Sequence, residues 1–379
     1  MYKPISFNID NNHVLTTIHV ADLHFGTVNP ETEYNILCEQ MIDPLIDLQF
    51  DIFSIDGDTF HRKFMSNSEP VLYASLLIRR IVELCKAKNA TLVIIEGTKE
   101  HDAGQLRLFY HYLKDDNIDI RIVESIRFEY IKGQKILCIP EMYGLDESIY
   151  RKYLFESGYY DMCFMHGTIK GAIYGDNVGQ SRLFTIEDFS NCKGPIISGH
   201  VHTGGCFNSH FYYTGSPLRW KFGEENEKGF LLVLYNSYTR EHYAYLQKIQ
   251  SFRYDTINLD DLISSDPRDI IERIDSLHNQ GIDNIRIEFT KDIPSDNLNV
   301  LKNYYRNKSF IKIKTSSSKK TKEINTSDYD EELYKKYEYL YDNSLDEYDK
   351  LAKFICTNEP DVFLTGEDIK RIVLDLDDL

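Results

Sequence analysis

Between residues 14 and 202, five short apolar runs each deliver aspartate or histidine at their ends, and this recurrence constrains the fold more than any other feature of the chain. Residues 14–21 lead into Asp22-Leu23-His24, 50–55 into Asp56-Gly57-Asp58, and 90–96 into Gly97-Thr98-Lys99-Glu100-His101-Asp102. Residues 160–165 lead into His166-Gly167, and 195–198 into Gly199-His200-Val201-His202. Short apolar runs bounded by turn signals read as buried strands, and open α/β sheets bind ligands outside the carboxyl ends of their strands. One such residue alone is ordinarily a packing or hydrogen-bonding group, and His19, inside the first run, reads as a packed core histidine. The same residue types at successive strand ends point to one site.

Helical stretches separate these runs. Residues 31–49 carry Ile36, Met41, Leu45 and Leu48 at helical spacing, and 70–88 form an amphipathic helix opened by Pro70, a favourable first-turn residue. Further strands are expected at 119–123, 127–131, 135–139 and 211–213. After Arg219 the pattern changes. Residues 228–235 and 241–249 read as the strands of a hairpin about Asn236-Ser237, followed by a helix at 267–277 and a strand at 285–289. The chain is therefore expected to be α/β over 1–223, with a smaller α+β domain over 224–313, a linker over 314–327 and a helical tail over 328–379. The basic, serine-rich KIKTSSSKKTK at 312–322 suits either a linker or a DNA-contacting patch. The tail repeats Leu333, Tyr337, Leu340, Tyr341 and Leu345 on one face and docks either on its own protein or on a partner.

Composition limits the function classes. With 43 Lys and Arg against 60 Asp and Glu, the net charge of −17 argues against nucleic-acid binding by general attraction. It leaves nucleic acid open as a substrate, because bound cations or a local basic patch offset the global field. Seven dispersed cysteines without a CxxC pair argue for reduced thiols and against a zinc–thiolate site. No apolar run reaches membrane-span length and the N-terminus has no signal pattern, so no membrane partner and a cytoplasmic location are expected.

The strand-end set is Asp22, His24, Asp58, His101, His166, His200 and His202. Mixed carboxylate and imidazole donors suit Mn, Fe, Zn or Ni, whereas an all-oxygen set suits Mg or Ca. Asp58 is the carboxylate placed to bridge two ions. Two ions about 3.5–4 Å apart clamp a phosphate and acidify a bridging water. A histidine outside the ligand set can then protonate the leaving alkoxide.

The order DxH, GD, G…HD, HG, GHxH resembles the calcineurin-like metallophosphoesterase superfamily over Asp22 to His202. GDTFH at 57–61 and YYTGSPLRWKFGEENEKGF at 212–230, with the hairpin that follows, resemble the SbcD-type nuclease subunit of DNA double-strand-break repair complexes. The resemblance implies a four-layer sandwich of mixed sheets flanked by helices, with 224–313 as a capping domain. It implies two divalent ions, manganese first, with Mg, Fe or Zn as alternatives. Asp22, His24, Asp58 and His202 would hold the first ion, and Asp58, His166 and His200 the second. His101 would be the general acid, Asp102 would orient it, and His61 would help present the phosphodiester. It further implies a DNA substrate, an SbcC-like SMC-type ATPase partner that binds near the tail, and a homodimer.

The third motif departs from the superfamily, which has Gly-Asn-His there with the Asn on the second metal. Glu100 takes the Asn place if one counts back from His101, and Thr98 takes it if one counts forward from Gly97. Glu100 is the expected ligand, because the position of His101 relative to the metals is the tighter constraint. The resulting expectation is a two-metal DNA nuclease. The alternatives are a phosphoesterase for nucleotides or phosphoproteins on the same core, and a catalytically weakened scaffold for the ATPase.

Overall fold

The computed structural model describes residues 14–102, 104–141, 147–170, 173–174, 177–178, 184–258, 266–289, 295–306, 308, 310–315 and a few positions between 349 and 370. Its strands are β1 (Val14–Val20), β2 (Ile52–Asp56), β3 (Thr91–Ile95), β4 (Asp119–Val123), β5 (Arg127–Ile131), β6 (Gln134–Ile139) and β7 (Met162–His166). They continue with β8 (Ile173–Tyr174), β9 (Asn177–Val178), β10 (Ile196–Gly199), β11 (Gly205–Cys206), β12 (Phe211–Tyr213), β13 (Lys228–Asn236) and β14 (His242–Ile249). The last three are β15 (Tyr254–Asn258), β16 (Asn284–Phe289) and β17 (Ile311–Thr315).

Two six-stranded mixed sheets carry the architecture, in the orders β14-β13-β1-β2-β3-β4 and β11-β12-β10-β7-β6-β5. In the first, β1 to β4 run parallel and β13 returns antiparallel between β1 and β14. In the second, β6, β7, β10 and β12 run parallel, with antiparallel β5 and β11 at the edges. Each of the five apolar runs is a strand with at least one parallel neighbour, and both faces of such strands are covered.

Side-chain alternation shows the layering. Val93 and Ile95 of β3 enter a core shared with Met162 and Phe164 of β7, so the two sheets pack face to face. Leu92 and Ile94 point the other way, against the helix Glu69–Lys88. Cys163 and Met165 of β7 meet Tyr150, Leu154 and Phe189 from the short helices on the far side. The order is helix, sheet, sheet, helix, an α/β sandwich set by the two-residue period of the strands.

The helix Glu69–Lys88 has Pro70 in its first turn and buries Leu77, Ile78 and Ile81, each worth roughly 1.5–3 kcal/mol on full burial. Asn89 ends it in a left-handed conformation, with φ of 52°. The helix expected at 31–49 is shorter and broken. Pro30–Leu37 is α-helical, Cys38–Ile42 is a π turn, and Asp43–Leu45 is a last short piece. Pro44 lacks the N–H an uninterrupted helix needs, and the wider turn before it absorbs the mismatch.

The hairpin expected to open a second domain lies elsewhere. β13 pairs with β1 from Val14↔Asn236 to His19↔Leu231, inside the first sheet. The boundary expected at 224 therefore falls within the first compact unit, which runs unbroken to Thr256. The sequence could not show this, because a hairpin's own pattern does not say which third strand it joins. Farther along, β15, β16 and β17 form a separate three-stranded sheet, and Pro267–Asn279 and Ser295–Tyr304 are helices. The expected linker lies almost wholly outside the described residues, and so does the tail apart from those few positions. No described helix is long and apolar enough to cross a membrane.

Candidate metal centre

The carboxyl ends of β1, β2, β3, β7 and β10 converge. Backbone hydrogen bonds lace the loops after β1 and β2 together, from the Asp22 amide to the Gly57 carbonyl and from the His24 amide to the Asp58 carbonyl, both at 3.0 Å. Asp22, His24, Asp58 and His200 all take left-handed backbone, with φ of 54°, 49°, 53° and 78°. That conformation costs about 1–2 kcal/mol per non-glycine residue and clusters at functional sites. Two glycines make the approach possible. A Cβ on Gly97 would stand 2.1 Å from the Asp58 amide nitrogen, and one on Gly57 would stand 2.1 Å from His166 Nδ1.

Three donor groups result among the described residues: Asp22 with His24 and His202, Asp58 with His166 and His200, and His24 with His61 and His101. In the first, the Nε2 atoms of His24 and His202 are 3.0 Å apart and each is 3.8 Å from Asp22 Oδ1. His202 Nδ1 donates to Glu224 at 2.9 Å, which leaves the Nε2 lone pair facing His24. Asp22 Oδ2 accepts the His200 amide at 3.0 Å, while Oδ1 is buried and makes no hydrogen bond. In the second, His166 Nδ1 donates to the Asp56 carbonyl at 2.7 Å and points Nε2 at Asp58 Oδ2, 3.3 Å away. Asp58 Oδ2 is also 3.8 Å from His24 Nε2, so one carboxylate reaches both of these groups. Converging lone pairs and a buried, unbonded carboxylate oxygen fit a divalent cation, and these buried histidines and aspartates can hold a metal ion.

The electrostatics agree with that chemistry. Burial keeps His24 well below the usual histidine range and lowers His200 to about 3, so both rings are neutral donors. Burial also opposes charge on His166, but Asp58, with Asp22 and Glu141, holds its pKa well above the usual value. Burial disfavours ionised Asp58 too, yet His166 and the rings around it keep the carboxyl below the carboxylate range.

The third loop holds the departures from expectation. Glu100 and Lys99 are exposed, and Glu100 belongs to none of the donor groups. Thr98 faces the site instead, giving its amide to Asp58 Oδ1 at 2.5 Å and its hydroxyl to Oδ2 at 3.1 Å. The turn from Thr98 to His101 and Asp102, closed by bonds from both amides to the Thr98 carbonyl, throws Glu100 outward. His101 Nε2 stands 4.0 Å from Asp58 Oδ2. Asp102 does not orient it through its side chain. The buried Asp102 carboxylate accepts the amides of Thr59, Phe60 and Gly97 at 3.2, 3.1 and 3.0 Å, and burial with nearby Asp58 pushes its pKa up to about 7. His101 Nδ1 bonds the His61 carbonyl instead.

A cavity of about 310 Å³ opens over the centre, lined by His24, Asp58, His61, Thr98, His101, His200, His202, Trp220 and Lys221. His61 is exposed, with its ring centroid 5.8 Å from those of His24 and His101. His19 is fully buried and bonds Asp56 and Thr17 at 2.8 and 2.9 Å, a core histidine as expected. Glu224 and Trp220 were not singled out in the sequence. Glu224 holds His202, the Trp220 amide and Lys228 together, and its neighbours Glu225 and Glu227 left nothing in the pattern to select it. Burial works against the charge on Glu224, but His202 and Lys228 bring its pKa down to about 2.

No family model and no curated protein matches this chain. Among solved structures, the protein of unknown function AQ665 from Aquifex aeolicus is 18% identical over 45% of this chain and 88% of that one, with a TM-score of 0.22. The cold-active protein-tyrosine phosphatase of a psychrophile Shewanella sp. is 11% identical over 61% of this chain and 80% of that one, with a TM-score of 0.28. Likenesses this weak carry no argument about function.

Proposed function

We propose that this chain is a two-metal phosphodiesterase of the calcineurin-like metallophosphoesterase type that cleaves DNA. On this reading it acts as the nuclease subunit of an SbcCD-like complex, as a homodimer with an SMC-type ATPase partner. The observation that carries the reading is Asp58 Oδ2, which stands 3.3 Å from a nitrogen of one donor group and 3.8 Å from a nitrogen of another. Divalent ions held there supply Lewis acidity, which neutralises phosphate oxygens and acidifies water. Asp22, His24, Asp58 and His202 would hold the first, and Asp58, His166 and His200 the second.

The chain's own groups do the rest. His101 Nδ1 donates to the His61 carbonyl, so a protonated ring presents Nε2–H to the cavity, placed to donate to a leaving oxygen. His61 and Lys221 line the same cavity, within reach of a phosphate. A second groove of about 230 Å³ is lined by Arg219, Lys228, Lys248 and Arg253, of which Lys228 pairs with Glu224 and Lys248 with Glu227.

The test is incubation of the purified chain with Mn²⁺ and end-labelled linear duplex DNA, beside a phosphopeptide and a mononucleotide. Mn²⁺-dependent shortening of the DNA, lost in Asp58→Asn, is the expected result. Hydrolysis of the phosphopeptide or mononucleotide alone would replace DNA as the substrate, and no hydrolysis of any of them would sink the enzyme reading.

A further inference from the structure

We propose that Glu141 is a ligand of the second metal site and supplies the oxygen donor that Thr98 does not. The inference rests on the metal reading above. β6 lies beside β7 in parallel, so Glu141, two residues past the end of β6, arrives next to His166 at the end of β7. Its amide bonds the Glu96 carbonyl at 3.1 Å, which ties it to the loop after β3. Its side chain is 8% exposed, and Oε2 lies 3.6 Å from His200 Nδ1. A Cβ on Gly167 would stand 3.3 Å from that oxygen, so glycine after His166 leaves the carboxylate its room.

The Glu141–His200 distance suits shared coordination, although Glu141 stands outside the tight donor groups and its carboxylate would close in on the ion. Two donors each about 2.1 Å from one ion lie roughly 3–3.4 Å apart at octahedral or tetrahedral angles. Donor pairs within the first two groups are 3.0, 3.3 and 3.8 Å apart, and the Glu141–His200 pair falls inside that spread. Thr98 is the weaker candidate, a neutral hydroxyl that gives its proton, as the amide gives its own, to Asp58. With Glu141 the second site holds Asp58, Glu141, His166 and His200. It then matches the first, Asp22, Asp58, His24 and His202, with two carboxylates and two imidazoles each.

Mn²⁺ titration of the full chain tests this, with free Mn²⁺ followed by electron paramagnetic resonance and folding checked by circular dichroism. The wild type is expected to take up two ions. Glu141→Gln should keep one and bind the other at least about tenfold more weakly, since losing even an outer partner costs that much. Glu141→Asp, which keeps the charge but shortens the reach, serves where the Gln variant does not fold and should also weaken one ion only. Two ions at wild-type affinity in either folded variant would overturn the role of Glu141 and leave the metal reading standing. Fewer than two ions on the wild type would overturn both.

Discussion

The Nε2 atoms of His24 and His202 face each other at 3.0 Å, brought together from the ends of β1 and β10 across 178 residues. Glu224 fixes the proton of His202 on Nδ1, so at least one of the facing nitrogens presents a lone pair. Such an arrangement is stabilised by a cation. Adding Mn²⁺ at a hundred times its dissociation constant should stabilise the fold by about 2.7 kcal/mol per site. A thermal melt should show the rise, and His202→Gln should remove much of it. A melting temperature indifferent to Mn²⁺ would count against the centre.

Glu224→Gln leaves the shape of the turn intact but weakens the acceptor that sets the His202 tautomer. Metal affinity at the first site should fall about 10–100-fold. Isothermal titration calorimetry separates this from a folding defect. The site would be self-sufficient if the variant bound metal like the wild type.

Gly97→Ala places a methyl group 2.1 Å from the Asp58 amide nitrogen, against backbone that the Asp102 carboxylate already holds in place. Overpacking of this kind costs about 1–3 kcal/mol or more. Urea denaturation should show the loss, and metal binding should weaken with it because Asp58 must shift. An alanine variant of wild-type stability would mean that the two loops are not locked together.

Glu33 carries a pH dependence of its own. It is fully buried in the helix Pro30–Leu37, and burial raises its pKa well above the ordinary 4.5, opposed only by the Gly26 amide. The folded chain therefore keeps a proton that the unfolded chain has lost, and this group's contribution to stability falls as pH rises from about 4.5 toward its raised value. Glu33→Gln should remove that slope and gain roughly 1–3 kcal/mol at pH 8. Melting curves from pH 5 to 8 would show it, and a parallel slope in the variant would contradict the assignment.

Much of the centre was legible because strand ends are local features. An apolar run of the right length, followed by Asp or His, places the residue at a sheet's carboxyl edge before any contact is known. That logic located Asp22, His24, Asp58, His166, His200 and His202, and the structure brings all six together. It failed where the answer depended on a turn. Counting back from His101 favoured Glu100, but the tight turn at Thr98 faces the threonine inward. Asp102 neighbours His101 in the sequence, but its carboxylate accepts the amides of Thr59, Phe60 and Gly97. Glu141 and Glu224 act through side-chain direction in irregular segments, which no period encodes.

The most direct measurement is hydrolysis of a simple phosphodiester, bis-p-nitrophenyl phosphate, by the wild type and His101→Gln, each with its bound Mn²⁺ counted. The wild type should hydrolyse it only with Mn²⁺. A DNA substrate is run alongside, and on it the variant should hold the same number of ions and lose about a hundredfold or more in rate, the usual contribution of general acid–base catalysis, with a smaller loss on the p-nitrophenyl ester, whose leaving group needs no proton. A metal-loaded wild type that hydrolyses neither substrate, or a variant as fast as wild type on DNA, would contradict the account.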